Sequence, residues 1–149
     1  MANFNTQLKK AKKLKTSRLS DDLFKFIRSI EKEIVKLNVD QINIESKDIF
    51  NKNIGFYSYH TEVLTNGAKK QGEPFTGKDT GDWLGSFFVE VQDNAFRLFS
   101  TDPKTHLILD SENWLSDDLF GLSDKDLKAL IDTRLKPFFI QNLRKQLDI

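Results

Sequence analysis

The chain has 149 residues, a formal charge of +1, thirteen Phe, two His and no Cys. That length suffices for one domain with its own core, and the absence of Cys excludes disulfide frameworks, thiol catalysis and Cys-based zinc sites. No apolar run reaches the ~18–20 residues of a membrane span, and MANFNTQLKKAKKLK lacks the apolar centre of a secretion signal, so a soluble, unexported chain with no membrane partner is expected.

Charge is unevenly distributed. Lys9, Lys10, Lys12, Lys13, Lys15 and Arg18 lie in residues 1–20 with no acid, whereas Asp102 to Asp132 holds eight acids against Lys104, Lys125 and Lys128. This polarity suits nucleic acid at the basic end and equally suits head-to-tail contact between copies of the chain. The surplus of Phe reads as core and contact surface, of the kind that subunit interfaces carry.

Residues 1–19 space Phe4, Leu8, Ala11 and Leu14 weakly among lysines and read as a basic flexible arm, a marginal helix ordered by a partner. Ser20 is expected to cap an amphipathic helix with Asp21 and Asp22 in its first turn and Leu23, Ile27, Ile30, Ile34 and Leu37 in one stripe. Residues 39–52 alternate like a strand at Val39, Ile42 and Ile44, then turn helical toward Ile49 and Phe50, and are read as a second short helix. A long loop follows at 53–78, rich in Gly, Asn, Ser, Thr and Tyr. Gly67, Gly72 and Gly77 allow tight turns around Lys69 and Lys70, and Pro74 keeps Glu73 extended.

Thr80 to Ser100 dictates its own geometry most closely. Thr80 or Asp79 caps a helical turn bearing Trp83 and Leu84, and Phe87–Gln92 and Ala95–Ser100 form a hairpin closed by Asp93-Asn94, two residues that tolerate positive φ. A two-residue loop sets Val91 opposite Phe96, Glu90 opposite Arg97, Val89 opposite Leu98 and Phe88 opposite Phe99. One face is then apolar, and the Phe88/Phe99 end of the other face needs a cover. TDPKTHLIL reads as a turn and a third short strand, and SENWLSDDLFG as an irregular acidic link anchored by Trp114 and Phe120. Ser123 with Asp126 approximates a capping box for the last helix, which carries Leu127, Leu130, Ile131 and Leu135; Pro137 should kink or end it. The fold class is α+β: the amphipathic and C-terminal helices pack on a small antiparallel sheet built around the hairpin, as one domain over 20–149.

No catalytic motif emerges. His60, beside Tyr57, Tyr59 and Glu62, and His106, after Asp102, read as ordinary loop or edge histidines, because no nucleophile elbow, zinc-helix motif or Walker loop accompanies them. Gly77, Gly81 and Gly85 near Lys78 suggest a phosphate cradle, but without a preceding buried strand or a GK[ST] element they read as turn glycines. The acids Asp117, Asp118, Asp124 and Asp126 suit helix N-termini better than a cation site. No enzyme, cofactor or metal is expected. The lysine arm (Lys9, Lys10, Lys12, Lys13, Lys15, Arg18) and the loop residues Tyr57, Tyr59, His60, Lys69 and Lys70 are the candidate partner contacts, while Thr80, Gly81, Asp93, Asn94, Gly121 and Ser123 are turn and cap residues.

The segment FTGKDTGDWLGSFFVEV, the turn, and AFRLFSTDPKTHLIL resemble the pattern of phage virion morphogenesis and head-tail connector (tail completion) proteins. In these a Thr-Gly turn feeds a β-hairpin, and a Gly-Leu-Ser motif opens the last helix. The matching residues are Thr80–Phe87 and Gly121–Leu127, with the Tyr57–Thr61 run before the Lys-rich loop, over roughly residues 50–135. Asp82 stands where such proteins usually carry a basic residue. The resemblance implies a non-catalytic virion part that forms an oligomeric ring at the neck between portal and tail. Its partners would be copies of itself and neighbouring portal, adaptor or tail proteins, in the virion and, during assembly, the host cytoplasm; DNA is a non-specific partner. The alternative is a small nucleic-acid-binding module that uses the arm.

Overall fold

Leu19, Leu23, Ile27, Ile30 and Ile34 recur at three- and four-residue spacing, and the helix they define carries the rest of the structure. In the computed structural model, which describes residues 3–149, this helix runs as α2 (Thr16–Ser29) and α3 (Glu31–Asn43), parted only by Ile30 at φ −106° and ψ 20°. Ser29 Oγ donates to Phe26 O at 2.6 Å, a side-chain bond that competes with the helical ladder beside the irregular residue. Two expectations are corrected here. Ser20 is not a cap but lies inside α2, which starts four residues earlier because Leu19 extends the buried stripe upstream. The border expected between arm and domain therefore falls within a helix.

The second short helix expected at 39–52 does not form: residues 39–43 are the last turn of α3, because Asn38, Gln41 and Ile42 all face the interior, and residues 44–52 follow as turns with an isolated bridge between Lys47 and Asn53. The described part of the arm is also helical. Asn3 accepts from Thr6 N at 3.0 Å and caps α1 (Phe4–Lys13), which two extended residues, Leu14 and Lys15, join to α2. Residues 1–2 of the arm lie outside the described residues.

The hairpin forms as its local chemistry dictates. Strands β1 (Phe87–Gln92) and β2 (Ala95–Ser100) pair antiparallel in the expected register, with Asp93 and Asn94 at φ 52° and 58° in a type I′ geometry. Glu90 and Arg97 lie 3.6 Å apart, and Phe120 covers Phe99 with ring centroids 6.2 Å apart, so the cover comes from the same chain. Val89, Val91, Phe96 and Leu98 pack with Ile27, Ile30 and Ile34 of the long helix and with Leu130 and Leu135. Val89 N–H points out of the hairpin, and Glu31 of α3 accepts it at 2.9 Å.

The stretch at 53–78 is a correction as well. It contains a helix, α4 (Tyr59–Leu64), whose first turn Ser58 caps, and its two flanks pair: Tyr57 N donates to Glu73 O, Gly72 N to Tyr57 O and Phe75 N to Gly55 O, each at 2.9 Å. The composition reads as loop, but Ile54, Tyr57 and Phe75 are buried, and their burial orders the backbone between them. They join Ile42, Trp83, Leu84, Phe87, Leu115 and Leu119 in a second apolar cluster against the C-terminal half of α3.

Thr105–Asp110, expected as a third strand, is helix α6. Thr105 Oγ1 donates to Asp102 O at 2.7 Å and Asp102 Oδ1 accepts from Lys104 N at 2.8 Å, so the turn at Pro103 winds directly into a helical first turn. The sheet consequently has two strands. A four-residue helix, α5 (Asp82–Gly85), precedes β1, and a 3-10 turn at Asp117–Leu119 interrupts the acidic link.

Ser123 accepts from Asp126 N at 3.3 Å and opens α7 (Asp124–Leu130) as expected, but the other half of the capping box is replaced, since Ser123 N donates to Gln41 Oε1 at 2.8 Å. Pro137 neither ends nor breaks the C-terminal helix. A π turn at Ile131–Leu135 widens the helix just before the residue that lacks an N–H, and α8 (Lys136–Leu147) begins with Pro137 in its first turn. Phe26 stacks on Phe138 at 4.1 Å between centroids, fixing α8 against α2. Among the described residues no helix is long and apolar enough to cross a membrane.

Candidate interaction surfaces

Two concave surfaces differ sharply in character. The first is basic. Where α1 and the Leu14-Lys15 link pass over α2 and α8, they leave a cleft of 1080 Å³ lined by Lys10, Lys13, Lys15, Arg18, Lys25 and Lys145, with Asp22 the one acid in its wall. Asn142 and Gln146 donate to Asp22 Oδ2 at 3.0 and 3.3 Å, so that carboxylate is already engaged. Four of the six arm residues expected to meet a partner are thus gathered, while Lys9 and Lys12 stand exposed outside the cleft. Sequence spacing did not reveal Lys25 and Lys145, because only the packing of α8 on α2 brings them beside the arm.

Lys10 holds the arm to the far end of the chain through Asp148 at 3.0 Å. The hydrogen bond from Lys10, and secondarily its charge, keeps the Asp148 carboxyl below the usual carboxylate range. A carboxyl more acidic in the folded state adds stability above its unfolded pKa, about 3.9, and loses it as pH falls through the lower folded value. An NMR titration of the Asp148 side chain should therefore show a depressed midpoint that Lys10→Ala returns to the ordinary range; a normal midpoint in the native protein would contradict the contact.

The second surface is aromatic. Between the 57–83 segment and α6 lies a cleft of 440 Å³ walled by Tyr57, Phe75, Trp83, Trp114, Leu107 and Ile108, with Asp79, Asp82, Asp102 and Glu112 on its rim against Lys69 and Lys104. Trp83 is held edge-on to Phe87 with centroids 5.1 Å apart, and its Nε1 donates to Thr105 Oγ1 at 3.2 Å, tying α5 to α6. Gly77 permits this packing. It takes φ +65°, and a Cβ there would stand 2.8 Å from the Trp83 ring.

The loop residues chosen from the sequence divide. Tyr57 is a core side chain: its hydroxyl lies 3.1 Å from Thr76 Oγ1 and accepts from Thr76 N at 3.1 Å. Lys69 is half-buried, with Nζ 5.5 Å from the Tyr57 ring and 3.9 Å from Asp79, and both line the aromatic cleft. Tyr59, His60 and Lys70 are exposed on or near α4, and His106 is exposed on α6. Of the turn residues, Gly81 takes φ +97° to start α5, and Thr80 Oγ1 donates to Asp82 Oδ2 at 2.7 Å.

Gly121 is held from α3. Asn38 Nδ2 donates to Leu119 O and Gly121 O, both at 2.8 Å, and Gln41 Nε2 donates to Gly121 O at 3.3 Å. Asn38 and Gln41, 0% and 1% exposed, clasp the acidic link to the long helix. Their signal in the sequence was positional: both fall on the buried side of the helix, in phase with Ile34 and Ile42, where a polar residue needs a partner. No family model matches the chain, and no curated protein or solved structure is significantly similar to it.

Proposed function

We propose that the protein is a non-catalytic structural part of a phage virion, of the neck, head-tail connector or tail-completion kind, acting through contacts between its copies and with neighbouring virion proteins. The observation that carries this reading is the construction of residues 80–100. A left-handed glycine turn and one helical turn anchored by Trp83 deliver the chain into a tight hairpin, and a long helix lies across that hairpin. This is the architecture the motif resemblance implies, and its two unlike clefts supply contact surfaces of opposite charge.

The basic cleft favours a second reading, capture of a phosphate backbone by its six cations, with an affinity that falls steeply with salt. Immunogold electron microscopy of particles from a lysate that expresses this chain separates the two. Label at the head-tail junction is the expected result. Particles without label, together with salt-sensitive retardation of duplex DNA by the purified protein, would overturn the virion reading in favour of nucleic-acid binding.

A further inference from the structure

Helix α1 carries an apolar stripe that the described residues leave exposed. Phe4 and Leu8 stand one turn apart, 74% and 41% exposed, and Ala11 completes the line. The helix meets α8 on another side, where Lys10 reaches Asp148, so its order does not depend on the stripe. Its charges are uniformly positive: Lys9, Lys10, Lys12 and Lys13, with no acid. Ten residues are too few for a helix to be stable alone, and an exposed Phe on a cationic helix is the chemistry of a segment that docks into an apolar, acid-rimmed site.

The aromatic cleft has that complementary chemistry. Trp83, Trp114 and Phe75 give it an apolar wall, Leu107 stands 60% exposed at its mouth, and the four rim acids outnumber Lys69 and Lys104, of which Lys69 is already directed at Asp79. The sign of the charge and the apolar content of the two surfaces match, and both belong to every copy.

We propose that α1 of one copy docks in the aromatic cleft of a second copy, with Phe4 and Leu8 entering beside Trp83 and Leu107 and Lys9 and Lys12 meeting Asp82, Asp102 and Glu112. The contact joins two different patches and is therefore heterologous, so it repeats head to tail and closes into a ring when the rotation permits. The ring, though not the pairwise contact, rests on the assembly reading above. Because the α1 stripe is free while Lys10 stays on Asp148, docking need not strip α1 from its own α8.

The absence of native Cys gives a direct test. Asn5→Cys places one thiol beside Phe4, and Ser111→Cys places one on the lip of the cleft; both positions are exposed, and both variants keep the apolar anchors. Mixed in equal amounts at low salt under mild oxidation, the two variants should give the mixed disulfide in roughly fivefold or greater excess over either symmetric product, as a high effective concentration requires. Adding Phe4→Asp to the Asn5→Cys chain should return the products to a random distribution. A random distribution without that change overturns the contact. If light scattering still detects an oligomer in that case, the assembly reading survives with a different interface. An excess of the mixed disulfide in a protein that immunogold does not find on particles would keep the contact and remove the neck assignment.

Discussion

Asn38→Leu is expected to lower the stability of the protein by about 3 kcal/mol, the cost of leaving the buried Leu119 carbonyl without a donor, Gly121 N without its acceptor and Gly121 O with only the longer bond from Gln41. The wild-type amide satisfies Leu119 O and Gly121 O, each at 2.8 Å, and accepts from Gly121 N at 3.4 Å. Leucine keeps the branched shape and leaves no cavity, so the loss would report the missing hydrogen bonds together with the crowding of its larger methyl groups. Denaturant titration should show a lower midpoint with an unchanged slope. Gln41→Leu should behave similarly, since it frees Ser123 N and removes the second donor to Gly121 O. The double variant should lose less than the sum of the two, because both side chains hold the same segment. Retention of wild-type stability by Asn38→Leu would mean that water or backbone movement satisfies the 119–121 carbonyls.

The second large effect is expected at Trp83. Trp83→Ala removes a nearly buried indole that meets Phe87 and Phe120 edge-on and fills the space left by Gly77, for an expected loss of roughly 3–5 kcal/mol. Trp83→Phe should lose less, keeping part of the packing while giving up the bond to Thr105. These two variants also bear on assembly. Trp83 forms a wall of the aromatic cleft, so Trp83→Phe, which keeps the fold, should weaken the mixed disulfide between Asn5→Cys and Ser111→Cys chains, whereas an unchanged yield would place the α1 anchor elsewhere. Thermal unfolding of both variants followed by circular dichroism supplies the stability ranking, and equal midpoints for Trp83→Ala and wild type would contradict the central role given to this residue.

How legible each element was depends on the range over which its determinants act. The hairpin was readable to the residue pair because its loop chemistry is local: Asp93 and Asn94 accept positive φ, and a two-residue loop leaves one register. The Ser123 cap was readable for the same reason, since donor and acceptor lie three residues apart. Thr105–Asp110 was misread because a short apolar run has no decisive period, and its helical state is tied to contacts with Trp83 and the Asp102 turn. Likewise residues 39–52 read as a separate short helix, yet the clasp by Asn38 and Gln41 on residues 119–123, about eighty positions away, makes 39–43 the end of α3.

The candidate surfaces divide along the same line. The sequence alone carried the cationic arm, the acidic segment and the Thr80–Ser100 unit, because each is a contiguous run whose charge or turn chemistry needs no distant residue. Only the tertiary structure placed Lys25 and Lys145 beside the arm, buried Tyr57 in the core, and assembled Phe75, Trp83, Leu107 and Trp114 into a cleft. Burial of apolar surface is non-directional and depends on which distant segments meet, so a run of residues specifies its own turns and caps but not the walls of a cleft built from four separate stretches.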